Sequence, residues 1–182
     1  MVRIGITGGI GCGKTYVCRR LETMGYPVYD CDTAAKRLIR TSPEIRQQLT
    51  ALIGEDAYYG EALNKAAVAK FLLANEANAK AIDDIVHPAV FRDFQESGMQ
   101  WMESAIMYES GINQLVDRVI VVTAPLEVRI QRVMKRDGIS RENVLQWMQR
   151  QWSQDKVREL ADDEIVNDGI ADIDAQIDNI LR

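Results

Sequence analysis

One histidine and three cysteines are all that the 182 residues offer as nitrogen or sulfur metal ligands. Cys12, Cys18, Cys31 and His87 share no ligand spacing, so they do not build a zinc site. An odd cysteine count without such spacing reads most simply as a reducing compartment, and the chain is expected to be cytoplasmic. Cationic excess is missing too: Lys and Arg number 22 against 27 Asp and Glu, a formal net charge of −5. That balance argues against general binding to nucleic acid or to a membrane surface, and any anionic ligand must find its own local cluster of cations. No basic leader runs into an apolar stretch, and no apolar run reaches bilayer-spanning length, so a soluble, intracellular chain is expected. Internal repeats and low-complexity linkers are absent, and nothing implies a protein partner.

What is present fits one domain with a sizeable core, at 47% hydrophobic and 27% charged residues. Apolar patterning predicts short strands over 2–7, 26–30, 104–109, 118–124 and 163–168. Helical spacing fills 14–24 up to the stop at Gly25, and Pro125 opens a charged helix that Gly138 ends. Ser140 then reads as a new N-cap, and 172–181 as a closing helix. Between Asp32 and Ser104 the pattern is almost wholly helical, longer than one crossover needs. The expectation is an α/β fold: a five-stranded, mainly parallel sheet with helices on both faces and a helical substrate-binding insertion. The core is expected at about 1–32 and 104–182, the insertion at about 33–103 and a lid at about 136–152.

The stretch GITGGIGCGKT, residues 5–15, follows the first strand and opens the first helix. Gly8, Gly13, Lys14 and Thr15 satisfy G-x-x-x-x-G-K-[ST], whose backbone N–H groups cradle phosphates. From average residue usage a chance match in this length has a probability on the order of one per cent, which favours phosphate binding over an idle glycine turn. Side chains at Gly9, Gly11 or Gly13 would crowd the phosphates, Lys14 would reach the β and γ phosphates, and Thr15 would bind Mg²⁺. No Asn-Lys-x-Asp guanine signature occurs, which argues against a GTPase.

Two further constellations bear on the chemistry. In YDCD, Asp30 and Asp32 end the second strand, where one acid can deprotonate an acceptor and the other support the metal shell; the competing reading makes Asp32 a helix cap. Glu109, at the end of AIMYE, reads equally as a metal-supporting acid or a solvated strand end. In RIQRVMKRDGISR, Arg132 and Arg136 are four apart and share a helix face, which suits a mobile lid that clamps the phosphoryl group; a solvated basic helix is the alternative. His87, before Pro88, reads from the residues alone as a helix-boundary residue. Trp101, Trp147 and Trp152 read as core or lid packing, and Cys12 has no expected nucleophilic role.

Taken together, GITGGIGCGKT, VYDCDTAAK, LNKAAVAKFLL with IVHPAV, RVMKRDGISRENV, Gln151 and ADDEIVNDG make the chain resemble the dephospho-coenzyme A kinase family over nearly its whole length. The resemblance implies a P-loop kinase fold and transfer of the ATP γ-phosphoryl group to the ribose 3′-hydroxyl of dephospho-coenzyme A. It implies Asp32 as the base, with Lys14 and Arg136 in catalysis. It also implies nucleotide contacts from Gly9, Gly11, Cys12, Gly13, Lys14, Thr15, Tyr16, Arg136 and Asn167. Acceptor contacts then fall to Asp32, His87 and Glu109, and Mg²⁺ to Thr15 and Asp30. Four positions depart from the family pattern: Cys12 stands where Ser is usual, Lys36 where Arg is frequent, with Arg37 adjacent, Ala105 where Pro is common, and Val157 where Lys is frequent. The residues alone leave open another small-molecule or nucleoside kinase, or a nucleotide-dependent binding module without turnover.

Overall fold

A computed structural model describes residues 2–75 and 77–182. The elements run β1 (Ile4–Thr7), α1 (Lys14–Thr23), β2 (Val28–Asp30), α2 (Cys31–Thr41), α3 (Pro43–Ile53), β3 (Tyr58–Tyr59), β4 (Ala62–Leu63), α4 (Lys65–Ala74) and α5 (Asn78–Ser97). After these come β5 (Trp101–Glu103), β6 (Arg118–Thr123), α6 (Leu126–Asp137), α7 (Arg141–Met148), α8 (Gln154–Leu160), β7 (Asp163–Val166) and α9 (Ile173–Leu181). Contacts divide the chain into two units, one of residues 1–29 and 99–182 and one of residues 30–98.

The first unit is built on a five-stranded sheet of order β2-β5-β1-β6-β7. β1 lies at its centre and pairs in parallel with β5 (Ile4 opposite Trp101) and with β6 (Ile4 opposite Arg118); β6 pairs in parallel with β7. Parallel strands covered on both faces need near-continuous apolar runs, and β6 supplies one: Val119, Ile120, Val121 and Val122 are all buried. On one side α1 contributes Val17, Cys18 and Leu21, and α9 contributes Ile173 and Ile177, to a cluster with Ile6, Ile120, Val122 and Ile165. Burying each such aliphatic side chain contributes roughly 1.5–3 kcal/mol. Caps define the helix ends: Asp172 accepts from Ala175 N (3.1 Å) to start α9, and Ser140 accepts from Asn143 N (3.3 Å) to start α7.

The third expected strand is misplaced by the sequence pattern. Residues 105–110 form turns, and the strand is β5, Trp101–Glu103, immediately before them. Met107 is fully buried, which explains why that segment looks strand-like in sequence, but its backbone curls instead of joining the sheet.

The second unit packs α2, α3 and α5 around Ile45, Leu49, Ala57, Tyr58 and Ala89. It is not wholly helical, because Tyr58 pairs with Leu63 and Tyr59 with Ala62 in a tight hairpin turning at Gly60, where φ is 59°. α5 corrects a second expectation. It runs unbroken through Pro88, so His87 lies inside a helix and not at its boundary. Proline removes one helical hydrogen bond there. Val86, Ala89, Val90 and Phe94, buried on either side of the proline, favour continuation.

Candidate active site

The glycine-rich segment leaves the C-terminal end of β1 and enters α1 through Gly13, whose φ of 89° no L-residue adopts readily. α1 has no side-chain N-cap, so its first-turn N–H groups and the positive end of its dipole face the loop. Steric demand on the glycines comes from inside the protein. A Cβ on Gly11 would lie 2.6 Å from the Arg129 carbonyl oxygen, and one on Gly13 would overlap the Asn167 amide. One on Gly9 would overlap the Arg129 guanidinium. Crowding of α6 and of the residue after β7 therefore calls for glycine at these three positions by itself.

Lys14 Nζ donates to the Gly8 carbonyl oxygen (2.8 Å) and lies 3.7 Å from Glu103 Oε1. The acid that ends the strand beside β1 is therefore Glu103. Glu109, expected at a strand end, sits among the turns that follow, where its Oε1 accepts from Trp152 N (3.1 Å).

Asn167, Arg132 and Arg129 donate to carbonyl oxygens of the loop. Asn167 Nδ2 donates to Cys12 O (3.0 Å). Arg132 Nη1 donates to Asn167 O (2.9 Å) and Cys12 O (3.3 Å), and its Nη2 donates to Asn167 Oδ1 (3.2 Å). Arg129, only 8% exposed, donates from Nε to Ile10 O (2.9 Å); no carboxylate pairs with it among the described residues, and burial lowers its pKa. Lys14, Arg129 and Arg132 thus form the local cation cluster that a chain of net charge −5 needs around an anion.

Arg136 does not share this position. Four residues beyond Arg132, in the last turn of α6, it donates from Nε (2.8 Å) and Nη2 (2.7 Å) to Asp137, which raises its pKa. Sequence spacing correctly put several arginines on one helix, but the pair facing the loop is Arg129 and Arg132, three apart. Position 129 left a readable signal: an Arg flanked by the apolar Val128 and Ile130, early in the helix that follows β6, lies closer to the sheet than one at the helix end.

The remaining expected residues are distributed as follows. Cys12, within the loop, is fully buried. Thr15 and Tyr16 are exposed in the first turn of α1. In the second unit Asp30, not Asp32, caps α2, accepting from Thr33 N (3.0 Å) and Thr33 Oγ1 (2.8 Å). Asp32 lies in the first turn of α2, exposed, and no partner for its carboxylate occurs among the described residues. His87 stacks on Phe91 (centroids 6.3 Å apart) with Nε2 3.6 Å from Asp83 Oδ1.

Comparison with known proteins places this geometry. The family model described as dephospho-CoA kinase matches residues 2–172. A dephospho-CoA kinase of Bacteroides fragilis is 41% identical over 179 residues, covering 92% of this chain and 85% of that protein. One from Porphyromonas gingivalis is 44% identical over 167 residues, covering 88% and 81%. A crystal structure from Thermus thermophilus superposes with a TM-score of 0.85 at 32% identity, covering 99% of this chain and 95% of that one. The chain belongs to the dephospho-CoA kinase family.

Proposed function

We propose that the chain transfers the γ-phosphoryl group of ATP to the ribose 3′-hydroxyl of dephospho-coenzyme A, the final step of coenzyme A synthesis. The observation that carries this reading is the phosphate loop held between β1 and α1 with Lys14 and Arg132 on it, in a chain of this family. Phosphoryl transfer asks a protein for alignment and charge stabilisation more than for covalent chemistry. The loop N–H groups and the α1 N-terminus supply fixed positive ends, and Lys14 adds a charge that moves from Gly8 O and Glu103 to the phosphates.

Asp32 is assigned as the base that takes the acceptor proton; its support is an exposed carboxylate without a competing partner among the described residues. Arg136 is assigned to the transferring phosphoryl group, exchanging Asp137 for phosphate oxygens as the 136–152 lid closes; Tyr16 and Asn167 are assigned to the nucleotide. His87 and Glu109 are assigned to the acceptor, Glu109 through Oε2, since Oε1 is taken by Trp152 N.

Mg²⁺ fits the donor set. It favours a few hard oxygen ligands and keeps its waters, and Thr15 in the first turn of α1 and Glu103 at the end of β5 are such donors. No cluster of three or more His, Cys, Asp or Glu suited to a metal occurs among the described residues. When bound, the ion neutralises charge on the β and γ oxygens. Asp30 is assigned to the metal as well: each of its oxygens accepts one hydrogen bond from Thr33 and keeps a lone pair for a cation or its water. A cytoplasmic site of action is assigned on the three buried cysteines, none of them in a disulfide. No helix among the described residues is long and apolar enough to cross a membrane.

The test is ADP release with dephospho-coenzyme A, with adenosine and with no acceptor. Release that depends on dephospho-coenzyme A and yields coenzyme A supports the reading. Equal release with adenosine makes the chain a nucleoside kinase, and ATP binding without release with any acceptor makes it a binding module.

A further inference from the structure

Ile10 sits at the tip of the phosphate loop, and both polar groups of its backbone are taken by side chains from distant segments. Its N–H donates to Gln151 Oε1 (2.9 Å) and its C=O accepts from Arg129 Nε (2.9 Å). Its own side chain packs against the α6–α7 cluster of Ile130, Val133 and Val144. A trans peptide holds each C=O antiparallel to the following N–H in one plane. Arg129, by fixing the Ile10 carbonyl, therefore fixes the direction of the Gly11 N–H on the opposite side. Gln151, by fixing the Ile10 N–H, likewise fixes the Gly9 carbonyl, which accepts from Cys12 N (3.2 Å) to close the turn. Gly11, at φ 80°, is the third residue of that turn, and glycine there tolerates either orientation of the preceding peptide. Left to itself the loop has two shapes; the two side chains select one.

Gln151 is itself held. Its neighbour Trp152 donates its backbone N–H to Glu109 Oε1 (3.1 Å), its ring lies parallel to Tyr108 with centroids 6.3 Å apart, and Lys156 Nζ is 3.1 Å from the ring centroid.

We propose that Gln151 and Arg129 are positioning residues of nucleotide binding, clamping the Ile10 peptide so that the Gly11 N–H is preset toward the nucleotide phosphates. Glu109 and Trp152 anchor the clamp from behind. This inference rests on reading the loop as an ATP site, and its test is a binding measurement that does not require the acceptor to be correctly named.

Gln151→Met keeps length and removes the acceptor oxygen. Calorimetric ATP affinity should fall roughly five- to tenfold, because losing about 1 kcal/mol of clamp lets the nucleotide-free loop populate the wrong orientation and lowers the binding-competent fraction. The Ile10 and Gly11 amides should exchange faster with deuterium in the nucleotide-free protein, while the thermal unfolding midpoint drops only by the small amount that one lost hydrogen bond accounts for and the KM for the acceptor stays put. Wild-type ATP affinity in Gln151→Met, with unchanged exchange at Ile10 and Gly11, overturns the clamp and leaves the kinase reading intact. Absence of ATP binding by the wild-type protein overturns both. Should Gln151→Met lose cooperative unfolding, Arg129→Lys decides on the same readouts: it keeps the charge and removes the planar Nε donor, so undiminished ATP affinity there overturns the clamp.

Discussion

Arg132 and Asn167 are joined by two hydrogen bonds, from the Arg132 guanidinium to the Asn167 carbonyl oxygen (2.9 Å) and side-chain oxygen (3.2 Å), and both residues also bond to Cys12 O. The residue after β7 and the middle of α6 are thereby fastened to the same point of the phosphate loop. Arg132→Lys keeps one charge but cannot serve three acceptors from a planar fork. Hydrogen bonds to charged groups are worth about 1.5–3 kcal/mol, so kcat/KM for ATP should fall by about 10- to 100-fold. Steady-state kinetics on a variant with unchanged circular dichroism checks this, and a loss below threefold would mean that Arg132 only packs.

Lys14→Ala should leave the fold intact and remove most turnover. In this structure the ammonium serves Gly8 O and Glu103, a pair that contributes on the order of 1 kcal/mol to stability, whereas in phosphoryl transfer it neutralises developing charge. The two readouts separate: a small shift of the unfolding midpoint together with near-complete loss of ADP formation is expected. A folded Lys14→Ala protein with near-normal turnover would remove the loop from the mechanism.

The β1-loop-α1 unit was legible because every part of it is local: an apolar strand, glycines at fixed offsets and a helix with Val17, Cys18 and Leu21 on one face. β5 was not, because three residues carry no periodicity, and Trp101–Glu103 becomes a strand only by lying between β2 and β1. The same slip put the strand-end acid at Glu109 when it is Glu103. Pro88 misled for a related reason, since a local rule about proline was overridden by burial on both sides of it. Among the arginines, spacing identified a shared face for 132 and 136, but the exposed helix end lets Arg136 turn to Asp137, a choice made by the end of α6.

Acid should destabilise the protein through a defined set of carboxylates. Hydrogen bonds from Arg20, Arg136 and Arg141 hold Asp174, Asp137 and Glu127 below the usual carboxylate range, and the Ala171 and Ile170 N–H groups do the same for Asp168. A lowered folded-state pKa means that the unfolded chain binds more protons, so this stability is fully present above the ordinary carboxylate pKa near 4 and is lost as pH falls through the lowered values. The unfolding midpoint should stay level near neutrality and drop below about pH 4, less steeply in Asp174→Asn. A midpoint that rises on acidification would contradict the assignment.

Arg136→Lys tests the lid. Bidentate contact with phosphate oxygens belongs to the planar guanidinium, so turnover should fall more than ATP affinity does, since the exchange from Asp137 is expected only as the transfer geometry forms. Equal, small changes in both quantities would leave Arg136 as a solvated residue paired with Asp137.

The two aspartates of the second unit can be told apart by one isosteric change at each, because their surroundings differ. Asp30 is a helix cap, and Asn caps nearly as well as Asp; Asp30→Asn therefore keeps the fold while removing the charge that a metal would need. Asp32 caps nothing, so Asp32→Asn forfeits only the few tenths of a kcal/mol that a charge in the first turn of α2 contributes, along with the proton acceptor. A general base contributes about 10²- to 10⁴-fold, and turnover in Asp32→Asn should fall within that range while ATP binding changes little. Asp30→Asn should keep activity within about threefold if Glu103 and Thr15 suffice for Mg²⁺, the small penalty reflecting a slightly altered cap. Asp30→Ala, by contrast, loses the cap and should cost roughly 0.5–2 kcal/mol of stability, which the unfolding midpoint reports independently of turnover. If Asp30→Asn abolishes activity at high Mg²⁺ as well as low and Asp32→Asn keeps it, the acid that matters is the one already holding Thr33, and the base assignment moves from Asp32 to Asp30.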